Sequence, residues 1–255
     1  MCNTRTSSAV ILNTIDVLEQ SSLQKIRKQC KIQIFPIGPL HKVAPASSSS
    51  LIMEDTSCIR WLDKQVQNPV LYVSLGSVAT IDKNQLVEMA WVLANSKQPF
   101  LWVIRPGSVD DLGWNQLLPE GFMEAVGENG CIVKWAPQTH VLAHGAVGGF
   151  WTHCGWNSTL ESISEGVPMI CKPCFGDQRA NARHVSHVWK ISLHLENKFE
   201  RGEIERAIKR LMVDKEGEEM RQRAKILKEK VEICIREGGS SYNSLNQLIE
   251  MIIAF

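Results

Sequence analysis

Short apolar runs alternate with helical patterns along most of this chain, and this alternation restricts its fold more than any other feature. The runs that read as buried strands are 70–74, 100–104, 131–134, 147–152, 168–171 and 191–195. Helical patterns between them include 83–95, 158–165 and 178–189. Short continuous strands separated by helices are typical of a parallel sheet covered on both faces. With right-handed crossovers the sequence predicts an α/β fold with a doubly wound parallel sheet, whose ligands bind at the carboxyl ends of the strands.

The two ends of the chain differ from this central pattern. The first part resembles one strand–helix–strand unit, and a loop with several prolines and the serine run 47–50 follows it. Near the other end, Gly238-Gly239 separates two charged helical patterns. We expect a remnant of an N-terminal domain, a linker, a Rossmann-like ligand-binding domain and a C-terminal helix that packs toward the N-terminal domain, at residues 1–45, 46–60, 61–238 and 239–255.

Charge and hydropathy exclude several classes of protein. The net charge is +1 and no basic cluster is present, so a nucleic-acid partner has no electrostatic support. No apolar run approaches the roughly 20 residues of a membrane span. The first residues lack the charged-then-apolar order of a secretory signal. We therefore expect a cytoplasmic protein.

The eight cysteines are scattered rather than arranged as a disulfide framework. Cys171-Lys-Pro-Cys174 has the spacing of a zinc knuckle, and Cys154 lies nearby in the sequence. A zinc site usually needs a second pair, and the sequence contains none. Cys171 also ends an apolar run, so core cysteines are favoured over the zinc alternative, and no metal site is expected.

Trp135 follows a predicted strand, at the sheet edge where a ligand is expected. A flat indole there can stack on a nucleobase, a contact worth roughly 1–3 kcal/mol. Pro137 ends the strand and leaves the backbone of Ala136 available to a base edge. Filling the core is the commoner use of a tryptophan, so these residues alone leave both roles open.

A polar turn at 153–158, His-Cys-Gly-Trp-Asn-Ser, joins a predicted strand to the helix predicted at 158–165. Helix N-termini present N–H groups and the positive end of the helix dipole, which suit a diphosphate. Gly155 would let the backbone approach such a ligand closely. Ser158 and Glu161 also fit a capping box, in which the two residues only secure the helix end. Alternatively, Glu161 accepts hydrogen bonds from both hydroxyls of a ribose.

Two further turns repeat this arrangement. Ser74-Leu-Gly-Ser77 ends the first strand of the sheet, where a serine either bonds a phosphate oxygen or only forms a turn. Asp177-Gln178 precede a predicted helix, where Asp177 caps that helix or the pair binds vicinal sugar hydroxyls. Gly145-x-x-Gly148-Gly149 matches neither a Walker loop nor a dinucleotide fingerprint.

The stretch 135–178 resembles the complete signature motif of plant secondary-product UDP-glycosyltransferases, family 1 glycosyltransferases of GT-B fold. The likeness rests on Trp-Ala-Pro-Gln, His-Cys-Gly-Trp-Asn-Ser, a glutamate three residues after that serine, and a terminal Gly-Asp-Gln, all at the family's spacing. It extends to Gly38-Pro39-Leu40, Trp61-Leu62 and Leu101-Trp-Val103, and so covers nearly the whole chain. The main domain would then bind a UDP-sugar, and the N-terminal remnant would belong to an acceptor domain.

The resemblance implies a donor site whose residues group by the part of the donor they would contact: Trp135 and Ala136 for uracil, Gln138 and Glu161 for ribose, Ser77, His153, Gly155, Asn157 and Ser158 for the diphosphate, and Trp156, Asp177 and Gln178 for the sugar. A terminal glutamine is similar to glucose-using members. Trp156 in place of an arginine argues against a glucuronate donor, whose carboxylate would need a cation. UDP-glucose is therefore the expected donor substrate, and no cofactor is expected.

The family's reaction is an inverting displacement. A histidine near the enzyme's N-terminus, oriented by an aspartate, deprotonates an acceptor hydroxyl that attacks the sugar. None of the seven histidines lies in that strand-to-helix context, and His140 and His144 are expected to be structural. We therefore expect no catalytic residue in this chain and negligible transfer by it alone.

Three hypotheses stay open for the chain as a whole. It is a truncated UDP-glucosyltransferase, a non-catalytic nucleotide-sugar-binding protein, or a truncated gene product that folds poorly. In the first case the acceptor would be a small lipophilic molecule such as a flavonoid, a terpenoid or a hormone. A monomer is expected.

Overall fold

The computed structural model of the chain describes residues 8–30, 32–44, 52–109, 117–196 and 200–254. The strands are β1 (Ala9–Leu12), β2 (Gln33–Pro36), β3 (Val70–Ser74), β4 (Phe100–Val103), β5 (Gly130–Val133), β6 (Val147–Thr152), β7 (Met169–Cys171) and β8 (Ser192–His194). The α-helices are α1 (Asp16–Gln29), α2 (Leu40–Val43), α3 (Ser57–Leu62), α4 (Lys83–Ser96), α5 (Phe122–Val126), α6 (Gln138–Ala143), α7 (Trp156–Glu165), α8 (Gln178–Arg183), α9 (Arg201–Met212), α10 (Lys215–Ile235) and α11 (Ser240–Ile253). The chain divides into two compact units, 50–225 and 1–49 with 226–255.

The larger unit is built on a six-stranded sheet with the order β5-β4-β3-β6-β7-β8. Every pair in it is parallel. Counted from β3, the order is 3-2-1-4-5-6, which is the order of a doubly wound, Rossmann-like fold. The predicted fold class is therefore confirmed, and each predicted apolar run overlaps one strand of this sheet.

The core of the larger unit forms where helices cover the sheet. Leu71, Trp102 and Ile170 come from three different strands and are at most 1% exposed, and they belong to one buried cluster with residues of α4 and α9. Asp82 begins α4 with a capping box, in which its carboxylate accepts from the Gln85 backbone N–H. That box satisfies orphan donors of the first helical turn.

Two predicted helices differ from those in the structure. The helix predicted at 158–165 begins two residues earlier, at Trp156. The helix predicted at 178–189 is α8 followed by a π-helical turn, His184–Val188. In that turn the N–H of Trp189 donates to the His184 carbonyl, five residues back. Apolar periodicity does not reveal such a change of hydrogen-bond register, so the sequence predicted one continuous helix.

The smaller unit contains a two-stranded parallel sheet of β1 and β2, with α1 between them in the chain. Leu248 of α11 packs with Phe35 and Ile37 at the end of β2. The roles predicted for the segments 1–45, 46–60, 61–238 and 239–255 stay predictions. Within the described part of the chain, no helix combines the length and the apolar composition needed to cross a bilayer.

Candidate functional site

The site predicted from the sequence lies at the carboxyl ends of β3 and β6. These two strands are neighbours, and the strand order reverses direction between them. In doubly wound folds such a switch point opens a crevice in which ligands bind. The loop after β3 contains Gly76 and Ser77, and the loop after β6 contains His153, Cys154 and Gly155.

The imidazole of His153 lies between the two loops, against two glycines. A Cβ atom on Gly76 would lie 2.4 Å from Cε1 of His153, and one on Gly155 would lie 2.5 Å from its Nε2. Both distances are shorter than real Cβ contacts, so a side chain at either glycine would displace the ring. The Nδ1 atom of His153 is buried and makes no hydrogen bond within the described residues. Burial lowers the pKa of His153, which the nearby Asp177 raises by less, so a neutral ring is favoured.

Cys154 holds the loop in an unusual backbone conformation, with φ +64°. Its N–H donates to Oγ1 of Thr152 at 3.1 Å, and its carbonyl accepts from Nδ2 of Asn181 at 3.1 Å. Asn181 also donates to Oδ2 of Asp177 at 3.1 Å. Asn181 therefore connects the loop after β6 to the carboxylate that was predicted to contact the sugar.

The N-terminus of α7 opens onto this loop. Its N-cap residue is Gly155, which supplies no side-chain cap, and the Gly155 carbonyl accepts the first helical bond from Thr159 at 2.9 Å. The N–H groups of a helix's first turn point out of its N-terminal end. The proposed capping box of Ser158 and Glu161 is wrong, because Ser158 lies inside the first turn and both side chains bond Gln138 instead.

Gln138 brings the predicted ribose residues together. Its Nε2 donates to Oε2 of Glu161 at 2.6 Å and to Oγ of Ser158 at 2.9 Å. Its Oε1 accepts from the hydroxyl of Tyr72 at 3.1 Å. Burial raises the pKa of Glu161, and the bond from Gln138 lowers it by less. The cluster therefore holds a partly buried carboxylate whose charge depends on its hydrogen-bond donors.

Trp135 and Ala136 follow β5, as predicted. The Trp135 side chain is half-buried, and its backbone carbonyl accepts from the Asp55 N–H at 2.9 Å. Ala136 is 4% exposed. The Trp135 carbonyl thus already accepts one hydrogen bond within the chain, and the backbone of Ala136 stays the predicted contact for a base edge.

Asp177 and Gln178 lie at the start of α8. Asp177 is exposed, whereas Gln178 is buried and its Oε1 accepts from the N–H groups of Cys174 and Phe175 at 2.8 and 3.0 Å. The side-chain amide oxygen of Gln178 therefore stabilises the loop before α8. Its contribution to a ligand would be donation from Nε2, not acceptance by Oε1.

The other predicted contacts occupy the first turn of α7 and the loop after β3. Trp156 is half-buried and lies 6.4 Å from Trp189 between ring centroids. Asn157 and Ser77 are exposed. Cys171 is fully buried in β7, in line with the core role expected from the sequence. Within the described ranges, no group of three or more acidic, histidine or cysteine side chains is placed to hold a metal ion.

A family model described as "UDP-glucoronosyl and UDP-glucosyl transferase" matches residues 14–230. The chain belongs to this family. Its relatives include UDP-glycosyltransferase 76B1 of Arabidopsis thaliana, which is 54% identical over all of this chain and 57% of the relative. Flavonol 3-O-glucosyltransferase UGT76E12 of Arabidopsis thaliana is 55% identical over 97% of this chain and 54% of its own length. The chain thus spans about half the length of the curated relatives it matches.

A solved UDP-glycosyltransferase confirms the fold assignment. The structure of Phytolacca americana UGT2 complexed with UDP-2fluoro-glucose and pterostilbene superposes with a TM-score of 0.85 and 34% identity. The match covers 96% of this chain and 54% of that one. The predicted relationship to plant family 1 UDP-glycosyltransferases of GT-B fold is therefore confirmed.

Two residues of this candidate site were missed in the sequence. Tyr72 lies inside an apolar run that predicts a buried strand, and nothing local shows that its hydroxyl reaches Gln138. Asn181 had a usable signal, because it lies four residues after Asp177 in a predicted helix, a spacing that brings side chains together.

Proposed function

We propose that this chain supplies the donor-binding half of an inverting UDP-glucose-dependent glycosyl transfer to a small lipophilic acceptor. The observation that carries the proposal is the slot for His153, closed by Gly76 and Gly155 at the switch point of the sheet. This slot places an imidazole and the N-terminus of α7 side by side. Both suit a diphosphate, through hydrogen bonding and the helix dipole.

The remaining parts of the donor fit around that point. Trp135 would stack on the uracil, with the backbone of Ala136 at its edge. The Gln138–Glu161 pair, joined by a 2.6 Å hydrogen bond, would bind the ribose, with the Glu161 carboxylate as acceptor. The diphosphate would contact His153, Ser77, Asn157 and Ser158, and the sugar would contact Trp156, Asp177 and Gln178. No part of this arrangement requires a metal ion or another cofactor.

Glucose is the sugar that the site supports best. Gln178 offers Nε2 as a donor and Asp177 offers an exposed carboxylate, and Asn181 fixes that carboxylate. This pair suits neutral vicinal hydroxyls, and Trp156 offers no cation to a sugar carboxylate. The structural neighbour from Phytolacca americana was solved with UDP-2fluoro-glucose, which supports a glucose-type donor.

The acceptor and the base of the reaction belong to the same proposal. Flavonoids, terpenoids and hormones are all compatible, and one relative is named as a flavonol 3-O-glucosyltransferase. We assign no catalytic base in the described residues: His153 is in the diphosphate slot, and His144 bonds Asp63 at 3.1 Å. The proposal also includes a cytosolic location, supported by the free thiols of the described cysteines, and a monomeric state. Sedimentation of the chain and imaging of a tagged copy test these last two points.

Replacing Trp135 with alanine tests the donor site directly. In isothermal titration we expect the wild-type chain to bind UDP with a dissociation constant between about 1 mM and 1 μM. Trp135→Ala is expected to weaken binding about 10- to 100-fold, because base–aromatic stacking contributes roughly 1–3 kcal/mol. With UDP-glucose and a phenolic acceptor, we expect the wild-type chain to release no UDP above the acceptor-free rate.

Trp135→Phe is the matched control for this experiment. It keeps a stacking ring and is expected to stay within about threefold of the wild-type affinity. A folded wild-type chain without saturable heat on UDP addition would refute the donor site. Acceptor-dependent release of UDP would refute the statement that the base lies outside the described residues.

Binding of UDP-glucose is expected to take up a proton at His153. In the free chain, burial lowers the pKa of this imidazole below the ordinary value of histidine. A bound diphosphate would raise the pKa again, because it favours the charged ring. A ligand that raises a pKa binds more tightly as the pH falls toward the bound-state pKa. We therefore expect affinity to increase several-fold between about pH 8 and about pH 6, the range in which histidine titrates.

The ligand and the control are chosen to isolate His153. UDP-glucose is used because its diphosphate has no terminal phosphate that titrates in this range. His153→Gln keeps a hydrogen-bond donor without the titration, so its affinity is expected to be flat with pH. At still lower pH, protonation of Glu161, whose pKa burial raises, would act in the opposite direction. An equal pH slope in the wild type and the variant would contradict the role of His153.

A further inference from the structure

The phenol of Tyr72 is a polar group buried in the centre of the sheet and directed at the predicted ribose site. Tyr72 is 1% exposed, and its ring stacks on Phe150 of the neighbouring strand with centroids 4.9 Å apart. Its hydroxyl donates to Oε1 of Gln138 at 3.1 Å. Burial raises the pKa of Tyr72 far above neutrality, so the phenol keeps the proton that it donates. A buried phenol needs a hydrogen-bond partner, and Gln138 accepts the proton of this one.

The amide of Gln138 lies between groups of opposite hydrogen-bonding character. A glutamine amide has a donor end and an acceptor end, which exchange places when the amide flips. Tyr72 donates at one end, and the carboxylate of Glu161 accepts at the other. A flipped amide would place Oε1 beside the carboxylate of Glu161, where two acceptors repel. Tyr72 and Glu161 therefore select the same orientation, with Nε2 facing Glu161 and Ser158.

We propose that Tyr72 is a positioning residue, which fixes the Gln138 amide so that Gln138 and Glu161 present one donor and one acceptor to the vicinal hydroxyls of a ribonucleotide. The proposal rests on the donor-binding function proposed above and adds to it a specificity for nucleotides that carry a 2′-hydroxyl. On binding, the amide N–H that donates to Ser158 would turn to one ribose oxygen, the other N–H would keep its bond to Glu161, and the carboxylate would accept from the other hydroxyl. A nucleotide without its 2′-hydroxyl leaves one of these groups unpaired, and such a loss costs affinity.

The test compares UDP with 2′-deoxy-UDP in titrations of the full chain. We expect the wild type to prefer UDP by about tenfold or more, the scale of one lost hydrogen bond to a charged group. Tyr72→Phe is expected to lower this preference to about threefold or less, through weaker UDP binding with 2′-deoxy-UDP nearly unchanged. The chain's other tyrosine supplies a matched control: Tyr242→Phe removes the same hydroxyl at a position that is 36% exposed and should leave both constants unchanged.

A double-mutant cycle separates positioning from a general structural effect. If Tyr72 acts through Gln138, then Tyr72→Phe in a Gln138→Ala background should change UDP affinity by less than about twofold, because the two effects are not additive. Thermal unfolding reports whether each variant is folded; the stack on Phe150 survives in Tyr72→Phe. Should that variant not fold, the nearly isosteric Gln138→Met is used, and its UDP preference is expected to fall in the same way.

The possible results distinguish this inference from the proposed function. A folded Tyr72→Phe that keeps the wild-type preference for UDP overturns the positioning role and leaves the donor site intact. The positioning role is also overturned if Tyr72→Phe weakens UDP binding in the Gln138→Ala background as much as it does in the wild type. A wild-type chain that binds neither nucleotide overturns the proposed function, and the positioning role with it.

Discussion

Replacing Gly76 with alanine is expected to weaken UDP binding about 100-fold or more. The new Cβ would lie 2.4 Å from Cε1 and 2.6 Å from Nε2 of His153, distances that real Cβ atoms do not show. The imidazole must therefore move away from the position that it holds in the wild type. Loss of a hydrogen bond between this ring and a diphosphate would cost about 1.5–3 kcal/mol of binding free energy. Displacement of the loop would add to that cost. Isothermal titration with UDP measures the effect.

Gly121→Ala is the control that separates this contact from backbone strain. Gly76 and Gly121 have the same φ of +77°, but a Cβ on Gly121 would meet nothing within 4 Å. Alanine in that conformation costs roughly 1–2 kcal/mol at either position. Gly121→Ala should therefore lose some thermal stability and bind UDP like the wild type. If both variants lose UDP affinity equally, strain and not the His153 slot is the cause.

The sheet could be predicted from the sequence because its strands are buried on both faces. β3, for example, is buried at every position. Strands of this kind have nearly continuous apolar sequences. The runs at 70–74 and 147–152 have the same bounds as β3 and β6, and the other runs are correct within about one residue. Turn residues between the runs then left few alternatives to a doubly wound order.

Local patterns failed where a distant partner decides the geometry. The spacing of Ser158 and Glu161 fits a capping box, but both side chains bond Gln138, which lies 20 and 23 residues earlier in the chain. The helix then begins at Trp156, with Gly155 as its N-cap. Tyr72 was missed for the same reason, because its hydrogen bond to Gln138 spans 66 residues. Contacts of this range leave no periodic signal.

The glycine cluster at 145–149 shows the opposite case, in which a motif-like pattern serves packing. A Cβ on Gly149 would lie 2.7 Å from the Met212 sulfur and 2.8 Å from a Leu211 methyl group of α9. Gly148 is the extra residue of a β-bulge, since Val70 pairs with Val147 and Leu71 pairs with Gly149. These glycines therefore allow close approach inside the larger unit and do not form a phosphate loop.

Gly148→Ala is expected to destabilise the chain by about 3 kcal/mol or more, an effect at the upper end for overpacking. The added Cβ would lie 2.0 Å from the carbonyl oxygen of Asn68 and 2.8 Å from its carbonyl carbon. Backbone atoms cannot rotate away as a side chain can. Asn68 is also held by its own N–H, which donates to the Gly145 carbonyl at 3.0 Å. Relief of the overlap therefore requires β3 and β6 to separate at the bulge.

Thermal unfolding followed by circular dichroism measures this effect, with Gly145→Ala as the control. A loss of about 3 kcal/mol corresponds to a fall in Tm of about 6–12 °C for a chain of this size. A Cβ on Gly145 would meet nothing within 4 Å, and its carbonyl keeps the bond to Asn68. Gly145→Ala should therefore shift Tm by less than about 2 °C. Equal Tm values for the two variants would mean that β3 and β6 tolerate a methyl group at the bulge, and the close approach at Gly148 would then contribute nothing to stability.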